Sequence, residues 1–280
     1  MEVVYLDYSN IDDYADYLTP DQAENISRVH YIGIVVTKDE EPVAGMIWKL
    51  RTIQEVKESH IVFLRIDDEA AEETLFGFYR NNIIENEVER STFSLPALSS
   101  ANEKAALRKE GFSVGLMEGD IIRSRLADVS EITLMKQIKP GSNIKALSEL
   151  ERRDFNSAIR RFVKIGMFGL CEDLLFLQKS YYENGVSCFA ESEDDVGGLL
   201  LFHKTPSGAL FVVFMGCFGE NYGRILPQMM AKSLESALDF YEPETEICID
   251  RHNYSTLALT EKLFPSSFGI PEYQGMRKEI

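Results

Sequence analysis

Apolar and polar positions follow one another along this chain in two rhythms, period two and period three-to-four, that mark out strands and helices in turn. Val3-Val4-Tyr5-Leu6 predicts a first strand, and Ile11 to Val29 one or two helices with Ser9 or Asn10 as the cap. Tyr31 to Val36 and Val43 to Leu50 flank the acidic turn Asp39-Glu40-Glu41-Pro42, as the arms of a hairpin do. His60 to Ile66 predicts a further strand. The run Asp67-Asp68-Glu69-Ala70-Ala71-Glu72-Glu73 then opens a helix that reaches Ile84. Thr92 to Leu95 reads as a short strand and Ala101 to Lys109 as a helix stopped by Gly111. Ser113 to Met117 and Asp120 to Leu126 read as a second hairpin.

From residue 132 the order starts again. Ile132 to Ile138 reads as a strand, and Ile144 to Val163 as a helix with Ile144, Leu147, Leu150, Phe155, Ile159 and Phe162 apolar. Cys171 to Tyr182 predicts another helix. Strands over Val186–Ala190, Val196–His203 and Ala209–Cys217 lead into a glycine-bearing turn, Gly216 to Gly223, and a long helix from Arg224 to Phe240. Glu246 to Asp250 predicts a strand, Ser255 to Leu263 a helix, and the rest to Ile280 a last strand or two. Residues 126–131 are the expected crossing point, with strand exchange between the halves as an option.

Two landmarks recur. Val43-Ala44-Gly45-Met46-Ile47-Trp48-Lys49 is echoed by Val196-Gly197-Gly198-Leu199-Leu200-Leu201-Phe202-His203-Lys204, each after an acidic turn. Asn102 leads a run ending Leu107-Arg108-Lys109-Glu110-Gly111-Phe112, and Asn253 leads Leu259-Thr260-Glu261-Lys262-Leu263-Phe264-Pro265. Two apolar strands resemble each other easily by chance. Two landmarks at a near-constant spacing instead suggest a duplication, here of domains 1–128 and 129–280.

The 280 residues suffice for two such cores, and 45% hydrophobic with 27% charged residues suits a soluble globular protein. The longest apolar runs, such as Ala209 to Met215, are too short to cross a bilayer. The acidic start Met1 to Asp7 is unlike a signal peptide. A cytoplasmic protein without membrane contact is the expectation. Cys171, Cys188, Cys217 and Cys248 lack CxxC spacing, and His30, His60, His203 and His252 lack an HxxxH arrangement. Neither a disulfide framework nor a metal site is expected. The net charge of −17 argues against nucleic acid as a partner. That charge is unevenly shared: residues 1–130 hold 13 Lys+Arg against 25 Asp+Glu, and residues 131–280 hold 16 against 21. An anionic cofactor therefore suits the second half better.

Helices, three antiparallel strands, a turn into a long helix, a strand, a shorter helix and a final strand: this order resembles the GNAT N-acetyltransferase fold, twice over nearly the whole chain. Its most specific local match is Leu107 to Phe112 after Asn102, similar to the family's Asn…Leu-Tyr-x-Lys-x-Gly-Phe ending. The second copy keeps Asn253, Glu261 and Lys262 but has Phe264-Pro265 where Gly-Phe is expected. The resemblance implies an α+β chain of two tandem GNAT-like domains, each a mixed, mostly antiparallel sheet flanked by helices. It also implies acetyl-coenzyme A, or another acyl-coenzyme A, as a dissociable cofactor. The pyrophosphate would lie at the turn after the fourth strand, where backbone N–H groups converge at a helix N-terminus.

The two copies differ at that turn. In the first, Asp67 to Glu73 has no glycine and five carboxylates. They cap a helix well and repel a phosphate, so the first half is expected to have lost the cofactor. In the second, Gly223 takes the first glycine position, Glu220 replaces Arg/Gln, Ile225 replaces the second small residue, and Arg224 adds positive charge. A lone glycine there also serves a turn that binds nothing. The expected cofactor-binding residues are Asn221, Tyr222, Gly223, Arg224, Ile225 and Asn253, with the backbone of Met215 and Cys217 for the pantetheine arm.

The family's usual acid, a Tyr four residues before the glycine of its Gly-Phe ending, is replaced by Leu107 and Thr260. Tyr254 or His252 are the substitutes, although such residues are also ordinary neighbours of a helix cap. Arg152, Arg153, Arg160, Arg161 and Lys164 either bind an anionic group or pair with Glu149, Glu151 and Asp154 at helical spacing. Tyr181, Tyr182, Phe211, Phe214 and Phe218 read as core. Two functions compete. One is an acyl-coenzyme A-dependent N-acyltransferase working in the C-terminal half on a small amine. The acidic surface steers cationic acceptors, such as a polyamine, an aminoglycoside or a Lys side chain. The other is a catalytically inactive binding or scaffold protein.

Overall fold

The computed structural model describes residues 1–28, 30–53, 55–119, 121–165, 172–192, 195–219, 222–250, 260–261 and 269–279. The chain forms two compact α+β units. One comprises Met1–Gly119, Gly169–Asp173 and Pro271–Ile280, the other Asp120–Phe168 and Leu174–Ile270. The second unit therefore opens nine residues before the expected start at 129, and the last strand belongs to the first unit.

The first unit is built on a seven-stranded sheet. Its strands are β1 (Glu2–Tyr5), β2 (Tyr31–Lys38), β3 (Glu41–Ile53), β4 (Val56–Ile66), β5 (Arg90–Pro96), β6 (Gly115–Glu118) and β13 (Pro271–Lys278). The order is β1-β2-β3-β4-β5-β13-β6, and only β4 and β5 run parallel. Strand alternation gives the sheet two apolar faces. One carries Ile34, Val36, Met46, Trp48, Ile61 and Phe93 under α2 (Glu72–Glu85) and α3 (Ala101–Lys109), which contribute Leu75, Phe76, Tyr79 and Leu107. The other carries Val35, Ile47 and Phe63 under Tyr17 and Leu18, which precede α1 (Pro20–Ile26). Local caps set the helix starts. Thr19 and Ser100 each form a capping box, with Gln22 and Glu103 respectively, and Gly111 at φ +85° turns the chain out of α3.

The second unit has six strands: β7 (Ile121–Arg125), β8 (Ile144–Ala146), β9 (Cys188–Ser192), β10 (Asp195–Lys204), β11 (Leu210–Cys217) and β12 (Glu246–Asp250). They are ordered β7-β12-β11-β10-β9-β8, and only β11 and β12 are parallel. The helix α7 (Tyr222–Phe240) buries Leu226, Met229, Met230, Leu234 and Ala237 against one face. On α6 (Arg152–Lys164), Phe155, Ala158, Ile159 and Phe162 are buried, and the Phe162 ring meets Phe214 of β11 at 5.0 Å.

Several elements depart from the sequence expectation. Residues 115–125 are no hairpin, because β6 pairs with β13 and β7 pairs with β12 in the other sheet. The strands β7 and β13 thus hold the same place, beside β12 and β5 respectively, and each is supplied by the other half of the sequence. The expected strand at Ile132–Ile138 is a short helix, α5 (Thr133–Gln137), following α4 (Leu126–Ser130). Met135, Lys136 and Gln137 are all good helix formers, and Met135 is buried in the core. The helix expected at Ile144–Val163 begins only at Arg152, after β8 and a single 3-10 turn. The helix expected at Cys171–Tyr182 is two 3-10 turns, Glu172–Leu175 and Lys179–Tyr181.

The pairing also corrects the alignment of the two copies by one residue. Single-residue bulges interrupt β3 at Val43 and β10 at Gly197, and β4 at Val62 and β11 at Val213. Aligning the bulges puts Ala44 opposite Gly198 in the comparison, and Gly45 opposite Leu199. The glycines that drew the eye therefore point to different faces. A Cβ on Gly45 would meet Tyr17 at 2.9 Å, and one on Gly198 would meet Cys217 at 3.1 Å and Met229 at 3.3 Å.

Candidate functional site

In each unit the parallel ladder ends at the same point. The parallel β11–β12 ladder runs from Leu210/Ile247 to Val212/Ile249 and stops at the Val213 bulge, while β11 continues to Cys217. The β4–β5 ladder likewise ends at Ile61/Phe93, one residue before the Val62 bulge. A bulge sharpens the local twist and re-aims the strand, and each parallel ladder ends beside one.

Beyond the ladder, the backbone of β11 alternates between the β10 side and the opposite side. Phe218 N–H donates to the Gly197 carbonyl on the β10 side at 2.8 Å. Alternation then sends the N–H and C=O groups of Cys217 and Met215 to the opposite side, where no strand pairs with them among the described residues. Their side chains are buried in the core beneath α7. Burial pushes the Cys217 thiol up to about 11, which keeps it protonated and unreactive near neutral pH.

At the end of β11 the chain turns through Gly219, whose φ of +79° favours glycine, and enters α7 at Tyr222. No acidic residue lies in the first turn of α7. Gly223 is exposed, has no positive φ, and a Cβ placed on it would meet nothing within 4 Å. Its backbone does not demand glycine; its contribution is open approach. Arg224 is exposed beside it, and Ile225 packs partly against the core. Asn221, His252, Asn253 and Tyr254 lie outside the described residues.

The matching position in the first unit is occupied by the protein's own anions. Asp68 accepts from Ala70 N–H at 2.9 Å and pairs with Lys38 at 3.0 Å; Glu72 pairs with Lys109 at 2.7 Å and Glu73 with Arg80 at 2.5 Å. These carboxylates already satisfy the positive end of α2. The two positions expected to lack the family's acid are both enclosed. Leu107 is fully buried among apolar residues and Thr260 is 1% exposed.

The structure adds contacts that composition did not suggest. Phe162 and Phe218 stack at 4.0 Å between ring centroids, and the Arg161 guanidinium lies 4.2 Å from the Phe218 centroid. Arg161 also pairs with Asp195 at the start of β10. Of the aromatics expected in the core, Tyr182 and Phe214 are buried. Phe211, Phe218 and Tyr181 are half-exposed, and Tyr181 stacks on His203 at 3.9 Å.

Solved structures share this double architecture. Over 99% of this chain and 98% of the other, a tandem GNAT protein from the clavulanic acid biosynthesis pathway superposes with a TM-score of 0.62 at 10% identity. This chain has the tandem GNAT fold. A probable N-acyltransferase from Enterococcus faecalis V583 matches with a TM-score of 0.52 and 10% identity, over 99% of this chain and 72% of that one. A GCN5-related N-acetyltransferase from Anabaena variabilis ATCC 29413 gives 0.52 and 14% over the same shares. No family profile and no curated protein matches the sequence itself. The tandem GNAT fold is thus legible in the backbone at 10–14% sequence identity. Among the described residues, no helix is long and apolar enough to cross a membrane.

Proposed function

We propose that the C-terminal unit is an acyl-coenzyme A-dependent N-acyltransferase acting on a small, cationic amine. The observation that supports this reading most is the acid-free first turn of α7, which follows a β11 segment whose amide groups at Met215 and Cys217 point away from β10. The residues suit such a cofactor. Met215 and Cys217 offer backbone hydrogen bonds to an extended amide-bearing arm, and the first N–H groups of α7 with Arg224 suit a pyrophosphate. When bound, acyl-coenzyme A supplies the thioester whose acyl group passes to the amine.

The chain's own work is to orient the two reactants and move two protons, one off the attacking amine and one onto the departing thiolate. Leu107 and Thr260 cannot protonate a thiolate. Tyr254 and His252 are the side chains we assign to proton transfer, with Asn253 and Asn221 beside the cofactor. The acidic surface supports a cationic acceptor through steering. The absence of a Tyr at residues 107 and 260 favours a second reading, an inactive binding protein on the same fold.

Thermal unfolding with acetyl-coenzyme A separates them. A clear rise in Tm, cancelled by Gly223→Glu, supports cofactor binding, and transfer to spermidine or lysine then distinguishes an enzyme from a binder. No shift at millimolar cofactor would sink the acyltransferase reading.

A further inference from the structure

Beyond Val212 the strand β11 is laddered to β10 and, among the described residues, to no other strand. On one face of this segment Met215 and Cys217 pack beneath α7. Alternation puts Phe214, Gly216 and Phe218 on the other face, toward α6. There the buried Phe162 ring meets Phe214 at 5.0 Å and stacks on Phe218 at 4.0 Å, with 19° between the stacked planes. Gly216, between the two rings, has no side chain to displace it. The Arg161 guanidinium lies 4.2 Å from the Phe218 centroid and pairs with Asp195 at the start of β10, not with a carboxylate at helical spacing. Phe218 N–H is bonded to Gly197, so its backbone and its ring are both held.

The first unit fills the same face differently. With the bulges at Val62 and Val213 aligned, Phe63, Arg65 and Asp67 correspond to Phe214, Gly216 and Phe218. Tyr17 takes the place of Phe162, edge-on to Phe63 at 6.4 Å, with the Arg65 guanidinium 4.3 Å from its centroid. Arg65 then pairs with Asp67 at 3.0 Å. Both partners of that pair are over 40% exposed, so it does little to fix a strand. Stacked rings and a guanidinium over a ring add attraction beyond their burial. The aromatic clamp thus belongs to the unit whose following helix starts without acid, and the ion pair to the unit whose helix starts with Glu72 and Glu73.

We propose that Phe218, gripped by Phe162 and Arg161, is a positioning residue that pins the end of β11 so that the Met215 and Cys217 backbone is presented ready-formed to an extended ligand. A segment already held in its bound conformation loses less freedom on binding, so the clamp raises affinity without touching the ligand. The ligand's identity rests on the reading of this edge as the seat of an acyl-coenzyme A arm; the pinning of the strand does not.

Hydrogen exchange of the full chain without ligand reads the clamp directly, at the Gly216 and Phe218 amides that face β10. Phe218→Leu and Arg161→Gln should each speed exchange there about fivefold, the scale of one ring contact, while β9 keeps its protection. Asp195→Asn leaves the ring contact and should have a smaller effect, and Phe218→Tyr should restore wild-type rates. Coenzyme A titrated into the same proteins should bind Phe218→Leu and Arg161→Gln about fivefold more weakly than wild type or Phe218→Tyr. Unchanged exchange at the two amides, or an equal rise throughout the unit, would overturn the clamp whether or not coenzyme A binds. Looser amides with unaltered affinity in a chain that binds coenzyme A would overturn the positioning role. Looser amides in a chain that never binds coenzyme A would uphold the pinning and count against the acyltransferase reading alone.

Discussion

The helices α2 and α7 begin at the same place in the same fold, six and five residues beyond strands interrupted by the same kind of bulge, yet their first turns differ in charge. At α2, Asp68, Glu72 and Glu73 are engaged with Ala70 N–H, Lys38, Lys109 and Arg80. At α7 the first turn carries no acid and includes Gly223, while Gly219 and Glu220 precede it. The scaffold, including the interruptions at Val62 and Val213, is common to both units, while the charge at the helix end is not. A backbone irregularity is fixed by many neighbours at once, whereas a helix end is set by a few exposed side chains. The second changes without disturbing the first.

The largest test of this comparison removes residues 271–280. Because β13 lies between β5 and β6, its loss should abolish hydrogen-exchange protection in the first sheet while β9–β11 stay protected. The loss is on the scale of a whole domain's stability, about 5–15 kcal/mol. Retained protection in β5 and β6 would show that the exchanged strand is dispensable. Next, Trp48→Ala and Phe202→Ala truncate two side chains that the bulge alignment makes equivalent, both essentially unexposed. Each should cost roughly 3–5 kcal/mol by denaturant unfolding, with exchange changes confined to its own unit.

Two glycines differ in sign. Gly219→Ala should destabilise by about 1 kcal/mol because of its left-handed backbone, and Gly223→Ala should stabilise by roughly 0.5 kcal/mol as an ordinary helical position. Equal effects would contradict the distinction drawn between turn and helix.

The smallest effect is at Asp68. The Ala70 N–H, then Lys38, hold its carboxyl below the usual carboxylate range. Its contribution is complete above the unfolded value of about 3.9 and is lost as pH falls through the lower folded value. Asn caps a helix as well as Asp, so Asp68→Asn should flatten that acid dependence in thermal unfolding while leaving Tm at neutral pH nearly unchanged.

Much of this fold was legible because its signals are local. The hairpin arms at Tyr31–Val36 and Val43–Leu50, the strands ending at Cys217, and the helix from Ala101 to Lys109 announce themselves by alternation or by a stop glycine. The exchange of β7 and β13 could not be fixed from sequence, since the partners of Ile121–Arg125 lie at Glu246–Asp250. Bulges leave no compositional trace either, which is why Gly45 and Gly198 aligned so plausibly and one residue wrongly. At the site, the contrast between Asp67–Glu73 and the Gly223 turn was readable from charge alone. The Phe162–Phe218–Arg161 stack was not, because it joins residues more than fifty positions apart.

The position of β13 also sets a timetable for synthesis. Ser94 on β5 hydrogen-bonds Glu272 across 178 residues, so β5 must wait for most of the second unit to be made before its neighbour arrives. During that interval the edges of β5 and β6 are unpaired, and closing so long a loop is slow. Exposed strand edges of this kind invite mispairing between nascent chains. The first unit, although made first, is completed last.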